Sequence, residues 1–345
     1  MDIWKKTTNE IVNIFSMFFD AIPISYQDIN TSMGDSDFRE TIIVETESGN
    51  KWVVKLADND FTSPEKIRMW QRTVLEYLNL GYYCPKIYCD KTGGYPTVEY
   101  KGHKCVAYAE EFAVFTPVED RNANESNYDR SVYEQYRKNL WCMTAKVAAR
   151  HFDYTEYPSG YCLFETFCPS DKVDEVLENA LKWKDYADTL PEEYSEQVQR
   201  IWKLWIENRS MLEPIYKDLP TSVFQADLNA SNILIDDSKK FVGIYDFNLC
   251  GKDVFLNYLM RENDDFDFER EIRLICDMLK VSSEYYSFSE IEKKAALMLY
   301  RCLKPLWFSL KERLKDQADR DEIKALLDKT EHYLTANIDF KSYME

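Results

Sequence analysis

The chain has 345 residues, 45% of them apolar and 15% aromatic, which supplies one large domain or two lobes with a sizeable core and excludes a largely disordered chain. Its net charge of −18 argues against nucleic acid as a partner, because phosphate backbones need a basic surface, and admits a cationic substrate through electrostatic steering. Nine cysteines without a repeated CxxC read as reduced thiols, and His103, His151 and His332 lie too far apart in sequence to suggest a zinc site.

The first predicted element is an amphipathic helix with Ile11, Ile14, Phe15, Phe18 and Phe19 at helical spacing. Glu10 and Asp20 interrupt or end its apolar run, and no small-residue cleavage site follows. It therefore reads as a helix packed on the body of the protein, and the expected location is cytoplasmic. Thr41–Thr46 and Lys51–Leu56 alternate as strands around a Ser48-Gly49-Asn50 turn, which predicts a hairpin. Ser63 and Pro64 open a helix as N-cap and first residue, and Gly81 closes it. Two further strands fit Thr97–Glu99 and Cys105–Phe112. This sets a sheet-rich lobe at residues 1–112 and a mainly helical lobe at 113–345.

Beyond a polar loop at Glu119–Glu125, helices are predicted over about Tyr128–His151, Asp171–Trp183, Glu192–Glu213, Glu269–Leu279, Ser289–Glu312 and Asp321–Ala336. Ser289 and Glu292 form a capping box, and Pro305 is expected to kink the helix that follows. Only Ser222–Phe247 interrupts this half with β character.

That patch carries the chemistry. It reads Asp227-Leu228-Asn229-Ala230-Ser231-Asn232, then an apolar strand, a turn at Asp236–Lys239, and a second strand leading to Tyr245-Asp246-Phe247. Phosphoryl transfer needs a carboxylate to orient the acceptor hydroxyl and hard oxygen ligands for magnesium. A short hairpin brings Asn232 and Asp246 to one end, with Asp227 in the loop beside them.

The run DLNASNILID…GIYDF resembles the signature of the aminoglycoside phosphotransferases, whose relatives include choline-kinase-like members and which share the protein-kinase fold. The resemblance implies a two-lobed α+β fold, with Asp227 as catalytic carboxylate and Asn232 and Asp246 as magnesium ligands. It further implies that Lys55, on the strand Val53-Val54-Lys55-Leu56, holds the phosphates of ATP or GTP. The loop Ser32–Ser36 would lie over them with its backbone and the Ser36 hydroxyl. The lysine's helix partner would be Gln71 by spacing, or Glu65 as the charged alternative. Glu111 and Ala113 would meet the base through main-chain groups. The sequence departs from the family where Gln225-Ala226 stands for His-Gly and Asn248 for a common glycine, and its downstream pattern survives only as Lys252–Tyr258.

The expected activity is transfer of the γ-phosphate to a hydroxyl of a small molecule, with no nucleic acid or membrane as partner. A non-catalytic nucleotide-binding regulator is the alternative from another class. A protein kinase fits less well, because no Ala-Pro-Glu-like segment follows Asp246. Asp253, Glu262, Asp264, Asp265, Asp267 and Glu269 read as a solvated loop and helix start, or as the wall of a cationic pocket. Trp307 and Phe308 read as core or as part of a cage for a quaternary amine.

Overall fold

The computed structural model describes residues 2–32, 34, 36–119, 134–157, 162–164, 174–262, 267–307, 313–315 and 319–345, with side chains from residue 9 onward. Packing divides the chain into two compact units, one of Met1–Tyr136 with Asp227–Cys250, the other of Arg137–Ala226 with Gly251–Glu345. A single cut at residue 112 therefore does not follow the packing, because the hairpin that carries the phosphotransferase-like motif belongs with the N-terminal sheet.

In the first unit, helix α1 (Asp2–Phe18) precedes strands β1 (Pro23–Asn30), β2 (Phe38–Thr46) and β3 (Lys51–Asp58). Helix α2 (Pro64–Asn79) follows, then β4 (Ile87–Tyr88), β5 (Thr97–Tyr100) and β6 (His103–Glu111). The sheet runs β1-β2-β3-β6-β4, with β5 also on β6, and all its pairs are antiparallel. Side chains alternate across it. Ile42, Val44, Val54, Leu56, Ala107 and Ala109 face one side, where Ile11, Ile14, Phe15 and Phe18 of α1 cover them. Burying one such Phe is worth about 1.5–3 kcal/mol, so the amphipathic stripe of α1 is what docks the helix. The opposite face carries Lys55 and its neighbours.

Ser63 caps α2 by accepting a hydrogen bond from Lys66 N at 3.3 Å. Leu80 caps its C-terminus and Gly81 follows at φ +86°, a left-handed value that favours glycine.

Strands β9 (Ile233–Ile235) and β10 (Phe241–Ile244) form the motif hairpin, and β7 (Thr116–Pro117) pairs with β9. Gly243 packs directly against the backbone of Tyr83. Tyr83 N donates to Val242 O at 2.9 Å and Ile244 N donates to Tyr83 O at 3.1 Å. A Cβ on Gly243 would stand 1.8 Å from the Tyr83 carbonyl oxygen. Gly243→Ala must break this bridge, and we expect a loss of roughly 3 kcal/mol. Urea unfolding should show it as a lowered midpoint at unchanged slope.

The second unit is built from β8 (Thr221–Gln225), β11 (Cys250–Val254) and helices α3 (Arg137–Ala148), α4 (Glu175–Ala187), α5 (Ser195–Tyr216), α6 (Phe255–Arg261), α7 (Phe268–Ser283), α8 (Glu290–Leu303) and α9 (Arg320–Thr335). Trp205 Nε1 of α5 donates to Cys302 O of α8 at 3.1 Å, and Asn208 Nδ2 donates to Met298 O at 2.9 Å. Buried Glu271 accepts from the hydroxyls of Tyr300 and Tyr333. The Ser289–Glu292 capping box forms as read. Pro305 does not kink α8, because that helix already ends at Leu303 with Lys304 as its C-cap. The eight cysteines among the described residues are free thiols. No helix among the described residues is long and apolar enough to cross a membrane.

Candidate active site

The loop after β8 sets the first group. Asn229 accepts hydrogen bonds from Ser231 N at 3.1 Å and from Ser231 Oγ through its Oδ1. A backbone N–H can only donate, so the amide orientation of Asn229 is fixed. Its Nδ2 therefore points to Asp227, donating to Oδ1 at 2.7 Å. Asn232 Nδ2 donates to Asp227 Oδ2 at 3.1 Å and to Asp227 O at 2.9 Å. Each oxygen of the Asp227 carboxylate thus takes one amide donor.

The hairpin sets the second group. Tyr245 N donates to Asn232 O at 3.1 Å, which clamps the residue before Asp246 against Asn232. Asn232 and Asp246 consequently sit at one end of the β9–β10 hairpin. The nitrogen of the Asn232 amide is turned to Asp227, so its oxygen lies on the other side of the amide. Asp246 adopts φ 62°, ψ 76°, a left-handed conformation uncommon for a non-glycine residue and least costly for Asp and Asn. Phe247 anchors the turn edge-on against Tyr77 of α2 at a ring separation of 5.3 Å.

The third group comes from the sheet. Lys55 Nζ lies 2.8 Å from Asp246 Oδ1 and 3.4 Å from Glu110 Oε2. Burial alone would weaken the Lys55 ammonium, but Asp246 and then Glu110 outweigh it and hold its pKa well above the ordinary lysine value. Burial raises that of Glu110, against the pull of Lys55 and with the help of Asp246. Asp246 and Glu110 thus flank the one ammonium of Lys55 from two sides.

A cavity of about 120 Å³ opens here, lined by Arg39, Lys55, Thr62, Tyr108, Asp246 and Asn248 among others. The residues present fit a divalent cation. Asp246 lines the cavity with a hard carboxylate, Asn248 Oδ1 is a buried acceptor without a donor beside it, and Asn232 offers an amide oxygen at the same end of the hairpin. No cluster of three or more His, Cys, Asp or Glu that could hold a metal occurs among the described residues. One carboxylate and one amide leave most coordination positions to water and substrate oxygens, the habit of magnesium.

The other sequence candidates fall differently. Gln71 does not meet Lys55. Its Nδ-like amide end, Nε2, donates to Ile87 O at 2.8 Å and its Oε1 accepts from Tyr95 at 3.1 Å, so both polar ends are committed to holding α2 against β4 and the loop before β5. Glu65 is exposed in the first turn of α2. Ser36 is exposed, in a turn closed by Asp37 N donating to Gly34 O at 3.2 Å, while Met33 and Asp35 lie outside the described residues. Glu111 N donates to Lys86 O at 2.9 Å, and half-buried Ala113 follows the end of β6. Glu110, the second carboxylate on Lys55, was not singled out in the sequence; its only signal there is a charged residue inside the apolar run of β6.

The acidic cluster after the hairpin is largely occupied by the fold. Asp253 accepts from Val254 N at 2.7 Å at the start of α6, Glu262 pairs with Arg261 at 3.0 Å, and Asp267 caps α7. Glu269 is exposed, and Asp264 and Asp265 lie outside the described residues. Lys304 Nζ stands 5.6 Å from the centre of the Trp307 ring, and Phe308 lies outside the described residues.

Residues 33–256 match the family model described as the phosphotransferase enzyme family, APH. No match to the chain occurs among the curated proteins. Among solved structures, the amicoumacin kinase hAmiN in complex with AMP-PNP, Ca2+ and Ami is similar at a TM-score of 0.54 and 12% identity, covering 99% of each chain. The microcompartment-associated aminopropanol kinase is similar at 0.53 and 11% identity, covering 95% of each chain. At such identity these likenesses speak to the fold, a kinase-like α+β arrangement of an N-terminal antiparallel sheet and a larger helical C-terminal part. With a match that runs from the loop before β2 to the start of α6, well over half its length, the chain belongs to the phosphotransferase enzyme family of the aminoglycoside phosphotransferase type.

Proposed function

We propose that the chain transfers the γ-phosphoryl group of a nucleoside triphosphate to a hydroxyl of a small molecule. The observation that carries this reading is that Asp227 and Asn232 form one hydrogen-bonded pair and Asp246 and Lys55 one ion pair, with Tyr245 N bonded to Asn232 O between them, all within one compact unit. In the reaction the acceptor oxygen forms a bond to the γ-phosphorus. The bond from that phosphorus to the β–γ bridging oxygen breaks, and its electron pair leaves with the nucleoside diphosphate. Asp227 orients the acceptor hydroxyl and takes its proton as the new bond forms. Lys55 holds the phosphates, and Asn232 and Asp246 hold the magnesium ion. When bound, that ion neutralises charge on the phosphates as it develops.

The two neighbours above are a kinase for amicoumacin and one for aminopropanol by their names, and the net charge of −18 admits a cationic acceptor. A reaction that consumes ATP or GTP suits a cytoplasmic protein.

A screen of hydroxylated amines, antibiotics and amino alcohols for acceptor-dependent release of ADP or GDP tests the reading. Release with at least one acceptor is expected. Nucleotide binding with no turnover on any of them would favour the regulator. Lys55→Met supplies the control on the site. It should weaken nucleotide binding about tenfold in a folded protein, the scale of one charge-assisted contact to phosphate. An unchanged affinity by titration calorimetry would return Lys55 to a purely structural place.

A further inference from the structure

We propose that Glu110 is the positioning residue of Lys55 in this chain, taking from strand β6 the part that the sequence pattern assigns to a side chain of helix α2. The inference rests on the functional reading above and adds to it a residue and a different architecture for the lysine's support.

The strand register places it. Lys55 lies opposite Tyr108 and Val53 opposite Glu110 across the β3–β6 pair. Residues two apart on a strand share a face, so Lys55, Tyr108 and Glu110 all point to the side away from α1. Glu110 stands diagonally from Lys55 at 3.4 Å, and its side chain is 8% exposed. On the helix, Gln71 is committed to Ile87 and Tyr95 and Glu65 is exposed.

A buried ammonium needs a lasting counter-charge, because breaking a buried pair leaves an uncompensated charge that is expensive. Asp246 is the nearer partner, but it is also a candidate metal ligand, and a carboxylate drawn to a divalent cation gives less of its charge to lysine. Glu110 offers no such divided loyalty. It lies on the central strands of the sheet, whose backbone ladder fixes its reach to Lys55. Nucleotide binding should then depend on Glu110 and be indifferent to the carboxamide of Gln71.

The test uses the full chain with Glu110→Gln, Glu110→Asp and Gln71→Leu. Magnesium with ATP, and with GTP, is titrated calorimetrically into each, and thermal midpoints are taken without nucleotide. Glu110→Gln keeps the shape and removes the charge; it should weaken magnesium–nucleotide binding about tenfold or more. Glu110→Asp should recover part of that loss, which a merely structural glutamate would not require. Once an acceptor is found, KM for the nucleotide should rise more than kcat falls. Parent-like nucleotide affinity in Glu110→Gln overturns the proposal, and so does a loss in Gln71→Leu equal to that in Glu110→Gln. Should Glu110→Gln fail to fold, parent-like affinity in Glu110→Asp together with a weakened Gln71→Leu overturns it equally. A parent protein that binds no nucleotide overturns the functional reading and this proposal together, whereas a binding parent with a parent-like Glu110→Gln overturns this proposal alone.

Discussion

Asp227→Asn should leave magnesium-dependent nucleotide binding within about twofold of the parent while cutting turnover by roughly a hundredfold or more, the scale of a positioned acid–base group. The separation follows from the division of labour in the site. In the proposed reaction Lys55, Asp246 and the oxygen of Asn232 serve the nucleotide and metal, and Asp227 serves the acceptor. The substitution is not silent in the ground state. Both oxygens of Asp227 accept amide N–H groups, from Asn229 at 2.7 Å and from Asn232 at 3.1 Å. An asparagine at 227 must turn its own NH2 toward one of them, and two donors repel. Asn229 is fixed by Ser231, so the mismatch costs about 1 kcal/mol of stability on either side. Asp227→Ala removes the carboxylate without that clash, and agreement of the two variants in rate ties the loss to the missing carboxylate. Both variants should lose rate and some stability, the asparagine through the donor conflict and the alanine through two amide donors left without an acceptor. Parent-rate turnover in both, with a true acceptor, would make Asp227 a turn residue and remove the centre of the mechanism.

What the sequence made legible is what local chemistry determines. The stripe Ile11, Ile14, Phe15 and Phe18 became the buried face of α1, and Ser63 and Ser289 became N-caps, because periodicity and capping act within a few residues. The hairpin that brings Asn232 and Asp246 to one end was legible for the same reason. Strand β1 was not. Its burial does not alternate, since it is an edge strand with one partner, and only β2 defines it. Helix α6 was missed because Phe255–Met260 is buried all round and shows no amphipathic period. Strands β4 and β7 are two residues each and exist only through their partners. The partner of Lys55 was hidden for a deeper reason. It depends on the register of two strands about fifty residues apart in sequence, whereas family spacing pointed to a helix residue, Gln71, with Glu65 as the charged alternative.

Asp246→Ala should abolish the magnesium-dependent part of nucleotide binding. In the parent, calorimetry should show tighter binding with magnesium than without it. At a hundredfold excess of free ligand over Kd, the complex should be stabilised by about 2.7 kcal/mol, visible as a raised thermal midpoint. In the variant the affinities with and without magnesium should coincide. Two side effects must be kept apart from this result. Asp246 sits at φ 62°, where alanine is strained by about 1–2 kcal/mol, so the ligand-free variant should be less stable for backbone reasons alone. Loss of Asp246 also leaves Lys55 its ion pair with Glu110 at 3.4 Å, which keeps the ammonium paired and the lysine in place for phosphate. Asp246→Asn resolves both, because asparagine tolerates the left-handed backbone and keeps an oxygen, yet brings no charge to the metal. It should fold closer to the parent than Asp246→Ala and still lose most of the magnesium dependence, since a neutral amide is a much weaker ligand for a divalent cation than a carboxylate. Equal gains from magnesium in the parent and in Asp246→Asn would show that the cation is held elsewhere, and the pairing of Asn232 with Asp246 as its ligands would fall.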